Sequence, residues 1–477
     1  MDLAQEKTKF LSPRRCKHFF AAIAKPLLTE VAKTPDPDAT LVSLSSISDS
    51  LGAKGVLWEL FRFNTPTLSL YVRLCASSDY LASIFKSNPG MIDELMDALQ
   101  LQQLPKYQRL AENLKELARG AEDLHLIVLS FKNAYHLRVG IRDILGRDEI
   151  RDTHRTLSDI AEVCLQTIAR RQYDLLIQKL AANPDKAPLA DLSPLVILGL
   201  GKLGGREPNY HSDLDVIFLY DKDESFEAVL GSQTTSQFFF SELAANITRS
   251  ITQSTASGRL YELDSRLRPT GKSGALAVSV EEFLRYFRSG KGQLWERQSL
   301  CKARVVFGGP KRATKAMKIV QDAILVEPWK DSMAGEVHKM RLAMQKGANK
   351  QNLKRGVGGT VDIEFAIQML QLKHLADDPS LLAPGTLEAT ERLIRAGILP
   401  KEQGQTLMDA YQLLRSVEAR LRLMNVTARH DLPTNQAQLT KLAFLLNYAG
   451  PDELVDAISS CRKTVREQFE AIVGNVE

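Results

Sequence analysis

The sequence predicts an α+β protein, predominantly helical, in which a short mixed α/β core is flanked by a helical region before it and a helical bundle after it. Three observations carry this reading. Apolar residues recur at steps of three and four through most of the first 190 residues and again from about 311 to the end. Between about 195 and 308 that period gives way to short, branched apolar runs typical of buried strands. The length, 477 residues, suits about three units at roughly 150 residues each. The expected division is 1–190, a helical region; 191–310, a catalytic core; and 311–477, a helical bundle.

In the first segment, Ile127, Phe131, Ala134, Leu137, Ile141 and Leu145 line one helix and Leu157, Ile160, Cys164 and Ile168 another, with a proline-rich turn near Pro35–Pro37. After the loop 183–194, LVILGL (195–200) and DLDVIFLY (213–220) read as strands. A helix fits Phe239, Leu243, Ile247 and Ile251. GRLYELD (258–264) and GALAVSV (274–280) read as two more strands, and EEFLRYF (281–287) as an amphipathic helix. Long helical stretches follow at 361–376, 404–427 and 451–473, with one glycine-rich break, RGVGGT (355–360).

Composition narrows the function classes. A hydrophobic share of 44% and a charged share of 25% are average for globular proteins and argue against a disordered, fibrous or membrane chain. Lys and Arg number 62 against 57 Asp and Glu, a net charge of +5, too small to announce a nucleic-acid partner. The cysteines, Cys16, Cys75, Cys164, Cys301 and Cys461, are scattered and odd in number, which argues against a disulfide framework or zinc site. The first thirty residues lack the uninterrupted apolar run of a signal peptide, and no stretch reaches the 18 or more apolar residues of a membrane span. The expected location is the cytoplasm.

Two apparent motifs fail on context. Gly199-x-Gly201-x-x-Gly204 follows a strand, with Asp221 some way on, but a dinucleotide fingerprint opens a crossover helix, and the residues before the next strand leave no room for one. Gly271-Lys272-Ser273 resembles the end of a phosphate loop, yet the position that needs a glycine is Arg266. What remains is the turn Gly204-Gly205 followed by Ser212-Asp213-Leu214-Asp215 at the head of an apolar strand. Alternation puts Asp213 and Asp215 on one face, roughly 7 Å apart, and Leu214, Val216 and Phe218 on the other. Two carboxylates at the end of an apolar strand call for a hard divalent cation, and Mg²⁺ suits the oxygen ligands.

Asp264 closes the strand 258–264; if that strand lies beside 213–220, it supplies a third acid. Three acids can hold two metal ions about 3.5–4 Å apart, around an in-line phosphoryl displacement. Backbone N–H groups at Gly204-Gly205 and the cations Arg266, Arg268 and Lys272 are the expected contacts of a triphosphate. The reaction class is nucleotidyl transfer. Arg259, Arg266 and Arg268 read equally as an ion-paired face, Trp295 as a packing anchor, and His211 as incidental to the chemistry.

The runs LGLGKLGGREPNYHSDLDVIFLYD (198–221), GRLYELDSRLRPTGKSGALAVS (258–279) and LWERQSLCKARVVFG (294–308) resemble the glutamine synthetase adenylyltransferase family, also called glutamate-ammonia-ligase adenylyltransferase. The resemblance continues in 71–99 and 356–375 and covers the chain from about residue 50 to the end. It implies a polymerase-β-type nucleotidyltransferase core whose acids are Asp213, Asp215 and Asp264. It also implies ATP as substrate, Mg²⁺, glutamine synthetase as protein substrate, and control by a PII-type signalling protein. Family members carry two homologous halves. One transfers AMP from ATP to a tyrosine of glutamine synthetase; the other removes it with phosphate, releasing ADP. This length accommodates one half, whether a protein of its own or a piece of a longer one. SDLDVIFLYD and GRLYELDSRLRPTG are nearer to the adenylylating half; LKRGVGG has the character of the deadenylylating half and DIEF (362–365) that of the other. Adenylylation is the favoured direction and deadenylylation the alternative.

On this reading Asp213 and Asp215 hold both metals, and Asp264 serves the ion at the nucleophile, a phenol whose pKa near 10 needs that help. Asp362 and Glu364 either reach back to the site or cap their helix. A nucleic-acid nucleotidyltransferase would share the acids but show a basic surface interleaved with aromatics, which the balanced charge does not favour. A module that only senses ATP would not need all three carboxylates.

Overall fold

In the computed structural model, which describes residues 2–5, 13–50, 54–94, 97 and 102–474, the apolar stripes of the first segment become stacked helices. They are α1 (Pro13–Val31), α2 (Pro37–Ser50), α3 (Lys54–Phe63), α4 (Thr65–Ser77), α5 (Asp79–Ser87), α6 (Tyr107–Leu117), α7 (Leu124–Ile144) and α8 (Ile150–Leu180). Residues 6–12 of the amino-terminal stretch, and 95, 96, 98 and 99 of the 71–99 segment, lie outside the described residues. Helix α8 has 31 residues, and its predicted stripe, Leu157, Ile160, Cys164 and Ile168, is buried throughout.

The core follows as β1 (Leu195–Gly199), the one-turn helix α9 (Gly201–Gly204), β2 (Leu214–Tyr220), α10 (Glu224–Leu230) and α11 (Ser236–Thr252). Then come β3 (Ser254–Thr255), β4 (Gly258–Arg259), β5 (Leu263–Asp264), β6 (Ala277–Ser279), α12 (Val280–Arg288), α13 (Leu294–Leu300) and β7 (Arg304–Phe307). The sheet order is β5-β2-β1-β7, with β6 also paired to β2. β1 runs antiparallel to both β2 and β7, while β5 and β6 run parallel to β2, one beside its start and the other beside its end.

Every residue of β1 is buried because both faces of the sheet are covered. Leu195 and Ile197, with Leu214, Val216 and Phe218, pack on α8 and α11. Val196, Leu198, Ile217 and Leu219 pack on the opposite side, against Phe283 and Phe287 of α12 and the helix that follows the sheet. The sheet departs from the expectation in two places. The run 258–264 is broken: β4 turns back on β3 as a small hairpin, and only β5 joins the main sheet. β7, hidden in a run that begins with Lys302 and Arg304, was not expected. Helix α12 opens on a reciprocal cap, Ser279 with Glu282, which stops the chain from extending β6.

The remainder is helical: α14 (Pro310–Ile324), α15 (Ser332–Lys346), α16 (Thr360–His374), α17 (Thr386–Arg395), α18 (Lys401–Leu423), α19 (Gln436–Leu445) and α20 (Pro451–Phe469). Among the described residues no helix is long and apolar enough to cross a membrane. A buried polar network ties this part to the core. Lys302 donates to Glu207 (2.7 Å) and Thr386 (2.8 Å), Tyr411 donates to Glu207 (2.9 Å), and Lys202 of α9 bonds Tyr411 (3.0 Å) and pairs with Glu364. Burial of charge is tolerable here because each group has a partner.

Inside the bundle, Arg341 and Asp362 form an ion pair with both side chains fully buried, and Asp362 also accepts from the Gly358 amide (2.8 Å). Asp362→Ala leaves Arg341 without its counter-charge and is expected to cost about 3–5 kcal/mol. Denaturant unfolding measures it, and a loss under about 1 kcal/mol would show the pair to be dispensable.

Candidate active site

β2 begins at Leu214, so Asp213 stands exposed just before it and Asp215 is the first acid within it. The parallel pairing of β5 sets Asp264 directly beside Asp215 and Leu263 beside Leu214. All three acids thus meet at one end of the sheet. Burial, followed by the charge of Asp264 and then by that of Asp213, pushes the Asp215 carboxyl up to about 6, against the opposing pull of Lys354 and Arg266. Asp264 is held below the usual carboxylate range by Arg266, whose Nε lies 2.9 and 2.8 Å from its two oxygens and whose backbone N–H also donates to it.

The donor set fits a hard divalent cation: three carboxylates, one of them raised in pKa by burial and by the other two. Among the described residues no group of three or more His, Cys, Asp and Glu side chains is arranged to enclose a metal. A cation has to compete with Arg266 for Asp264.

The glycines act differently from the expectation. Gly204 and Gly205 spend their backbone N–H groups inside the turn, on the carbonyls of Leu200 (2.9 Å) and Gly201 (3.2 Å), so neither amide is free for a phosphate. A Cβ on Gly204 would fall 1.8 Å from the Lys302 carbonyl; the glycine is there to let two backbones touch. The residue that serves the acids is Gly201. At φ +52°, it leaves space that a Cβ would take from Asp215, 2.3 Å from Oδ2. Because β1 and β2 are antiparallel, joined by α9 and a loop, the glycine pattern is no dinucleotide fingerprint.

Of the expected triphosphate contacts, Arg266 and Lys272 lie exposed near Asp264. Arg268 turns inward, its guanidinium donating to the carbonyls of Ser265 (2.7 Å), Ala275 (3.0 Å) and Gly274 (3.2 Å), so it shapes the loop and does not face the site. The Ser212 hydroxyl accepts from the Asn209 amide (2.8 Å) and from Arg422 (3.1 Å), anchoring the residue before Asp213. Arg259 is ion-paired with Glu262. His211 has a partner after all: Nε2 donates to the Asn425 carbonyl (3.2 Å), the ring lies edge-on to Tyr80 (4.2 Å), and burial draws its pKa down to about 4, keeping it neutral. Trp295 is 42% exposed and is therefore not the expected packing anchor. Asp362 and Glu364 do not reach the acids; one pairs with Arg341 and the other with Lys202.

Sequence reasoning missed Lys354 and Arg422. Lys354 sits near enough to oppose the rise in the Asp215 pKa, and among the described residues no carboxylate pairs with it. Its run, LKRGVGGT, reads as a glycine-rich break and as a mark of one family half, neither of which points to a cation beside the acids. Arg422, near the end of α18, donates to the Tyr210 carbonyl (2.6 Å) as well as to Ser212. It is remote in sequence and had no local signal.

A mixed sheet with paired acids at the head of its central strand, embedded in helices, is the fold of a nucleotidyltransferase. Comparison with known sequences specifies the kind. Residues 68–319 match the family described as glutamate-ammonia ligase adenylyltransferase, and 332–473 match the GlnD PII-uridylyltransferase family. The bifunctional glutamine synthetase adenylyltransferase/adenylyl-removing enzyme of Thioalkalivibrio sulfidiphilus is 32% identical over 422 residues, covering 85% of this chain and 43% of that protein. The enzyme of the same name from Pseudomonas aeruginosa is 31% identical over 422 residues, covering 83% of this chain and 43% of its own. The chain belongs to the glutamate-ammonia ligase adenylyltransferase family, and it spans less than half the length of these relatives.

A carboxyl whose pKa rises on folding makes the folded state bind the extra proton, so its contribution to stability falls as pH rises from about 4 to about 6. A cation beside Asp215 removes that cost. Mg²⁺ is therefore expected to raise the thermal midpoint more at pH 7.5 than at pH 5, and Asp215→Asn to lose the effect. A shift that is equal at the two pH values, or kept in the variant, contradicts the assignment; scanning calorimetry reads both.

Proposed function

We propose that this chain transfers AMP from ATP to a tyrosine of glutamine synthetase. The observation that carries this reading is the register that sets Asp264 beside Asp215, with Asp213 at the head of the same strand, in a chain that belongs to this family. SDLDVIFLYD and GRLYELDSRLRPTG, nearer to the adenylylating half, favour this direction.

Asp213 and Asp215 would hold Mg²⁺, with Asp264 completing the set, and the bound ions would supply positive charge at the reacting phosphate. The tyrosine oxygen bonds to the α-phosphorus of ATP as the bond to pyrophosphate breaks, in line. Arg266, on leaving Asp264, and Lys272 would take up charge on the departing phosphates. Lys354 offers a further cation on the Asp215 side. Gly201 keeps the Asp215 carboxylate free of steric conflict.

The opposing reaction, in which phosphate removes AMP from adenylylated synthetase as ADP, uses a similar centre, and LKRGVGG favours it. The match of 332–473 to the GlnD PII-uridylyltransferase family supports regulation through this bundle by a PII-type protein.

Incubation with unmodified glutamine synthetase and labelled ATP is expected to label the synthetase. ADP release from adenylylated synthetase and phosphate, without labelling in the first reaction, would reverse the assigned direction; neither reaction would refute both. Asp215→Asn should lower turnover by at least about a hundredfold with an unchanged circular dichroism spectrum.

A further inference from the structure

Beside the three acids lies an open cleft of about 430 Å³ that the nucleotidyltransferase core does not build alone. Ser212 and Asp213 line it from the core, and Tyr80, Lys132 and His136 line it from α5 and α7. The aromatic groups satisfy one another: Tyr80 bonds His136 Nδ1 (2.7 Å), and Tyr261 approaches Nε2 (3.4 Å). Lys132 is different. Its ammonium donates to the Arg259 carbonyl (3.0 Å) and lies 5.1 Å from the centre of the Tyr261 ring. Among the described residues no carboxylate lies within ion-pairing distance of it. Glu262, which lines the same cleft, is taken by Arg259, and His211 nearby is neutral.

A cation set in a cleft without a counter-ion is costly to desolvate, and here burial draws the lysine pKa down to about 8. Two of its three protons have no acceptor in the protein. An anionic ligand in the cleft would supply both the charge and the acceptors, and the cleft opens on Asp213.

We propose that Lys132, a residue of the amino-terminal helices, binds the polyphosphate of the nucleotide in the cleft that Asp213 also lines, so that the helical region is part of the active site. This rests on the nucleotidyl-transfer reading and adds to it a substrate contact outside the core. Arg266 and Lys272 then serve the Asp264 side, and Lys132 the Asp213 side.

The test uses the full chain, with inorganic tripolyphosphate and ATP as probes and adenosine as control, by titration calorimetry in Mg²⁺. Lys132→Met is expected to weaken tripolyphosphate and ATP at least about tenfold, the scale of one lost charge-assisted hydrogen bond, and Lys132→Arg to recover most of it. Because the ammonium has no counter-ion, the loss of its contacts with Arg259 and Tyr261 is offset by the desolvated charge removed, and K132M should melt close to the parent. Tripolyphosphate, but not adenosine, should also protect Lys132 of the parent from an amine-reactive reagent, a readout that needs no variant to fold.

Unchanged tripolyphosphate binding by K132M, or unchanged labelling of Lys132, overturns the proposal while leaving the functional reading intact. Weaker binding accompanied by a lower melting temperature, in K132M and K132R alike, also overturns it, because it marks a structural lysine. A parent chain that binds neither ATP nor tripolyphosphate refutes both.

Discussion

Three carboxylates held at one strand end repel one another, and much of the surrounding structure exists to keep them there. Without that restraint the loop 205–213 would drift and relieve the charge. It is pinned instead from behind. Arg422 holds the Tyr210 carbonyl and Ser212, and Arg415 holds the Glu207 carbonyl while pairing with Glu418. The Glu207 carboxylate is itself locked by Lys302 and Tyr411. The carboxy-terminal helices therefore act as the fixed abutment behind the acids, and the raised pKa of Asp215 reflects its burial there, followed by the charges of Asp264 and Asp213.

The elements with strong local signals were legible from residues alone. β1, β2 and the stripe of α11 follow from apolar runs and helical spacing, because burial on both faces of the sheet demands apolar residues at every strand position. Asp213 and Asp215 stand out as charges at the head of an apolar run, and Asp264 as the close of a strand candidate; that Asp264 lies beside Asp215 depends on a pairing of distant strands. The break in 258–264 was not, because two short strands serving different sheets look like one alternating run. β7 was masked by the basic residues before it. Gly201 was overlooked in favour of Gly204-Gly205 because a steric need for glycine depends on what lies opposite, here the Asp215 carboxylate. Lys132, Lys354 and Arg422 come to the site from distant helices and loops, and no window of sequence contains both them and the acids.

Chemistry and support are divided unevenly among the segments. The sheet supplies the acids, the carboxy-terminal helices supply rigidity and one cation, and the amino-terminal helices close the cleft beside Asp213. The sheet faces join two hydrophobic cores, one shared with the amino-terminal helices and α11, the other with α12 and α14. Both cores thus meet at β2, the strand that carries Asp215 and directly follows Asp213.

β5 and β6 occupy the same edge of β2, one at its beginning and the other at its end. Residues 265–276 are therefore an excursion that leaves the edge and returns to it. Arg266 and Lys272 ride on that excursion, and Arg268 stiffens it from within. The two rungs beneath it hold Asp264 whatever the loop's own sequence, so a substitution at Arg266 or Lys272 alters the charge beside the acids without disturbing the register that aligns them.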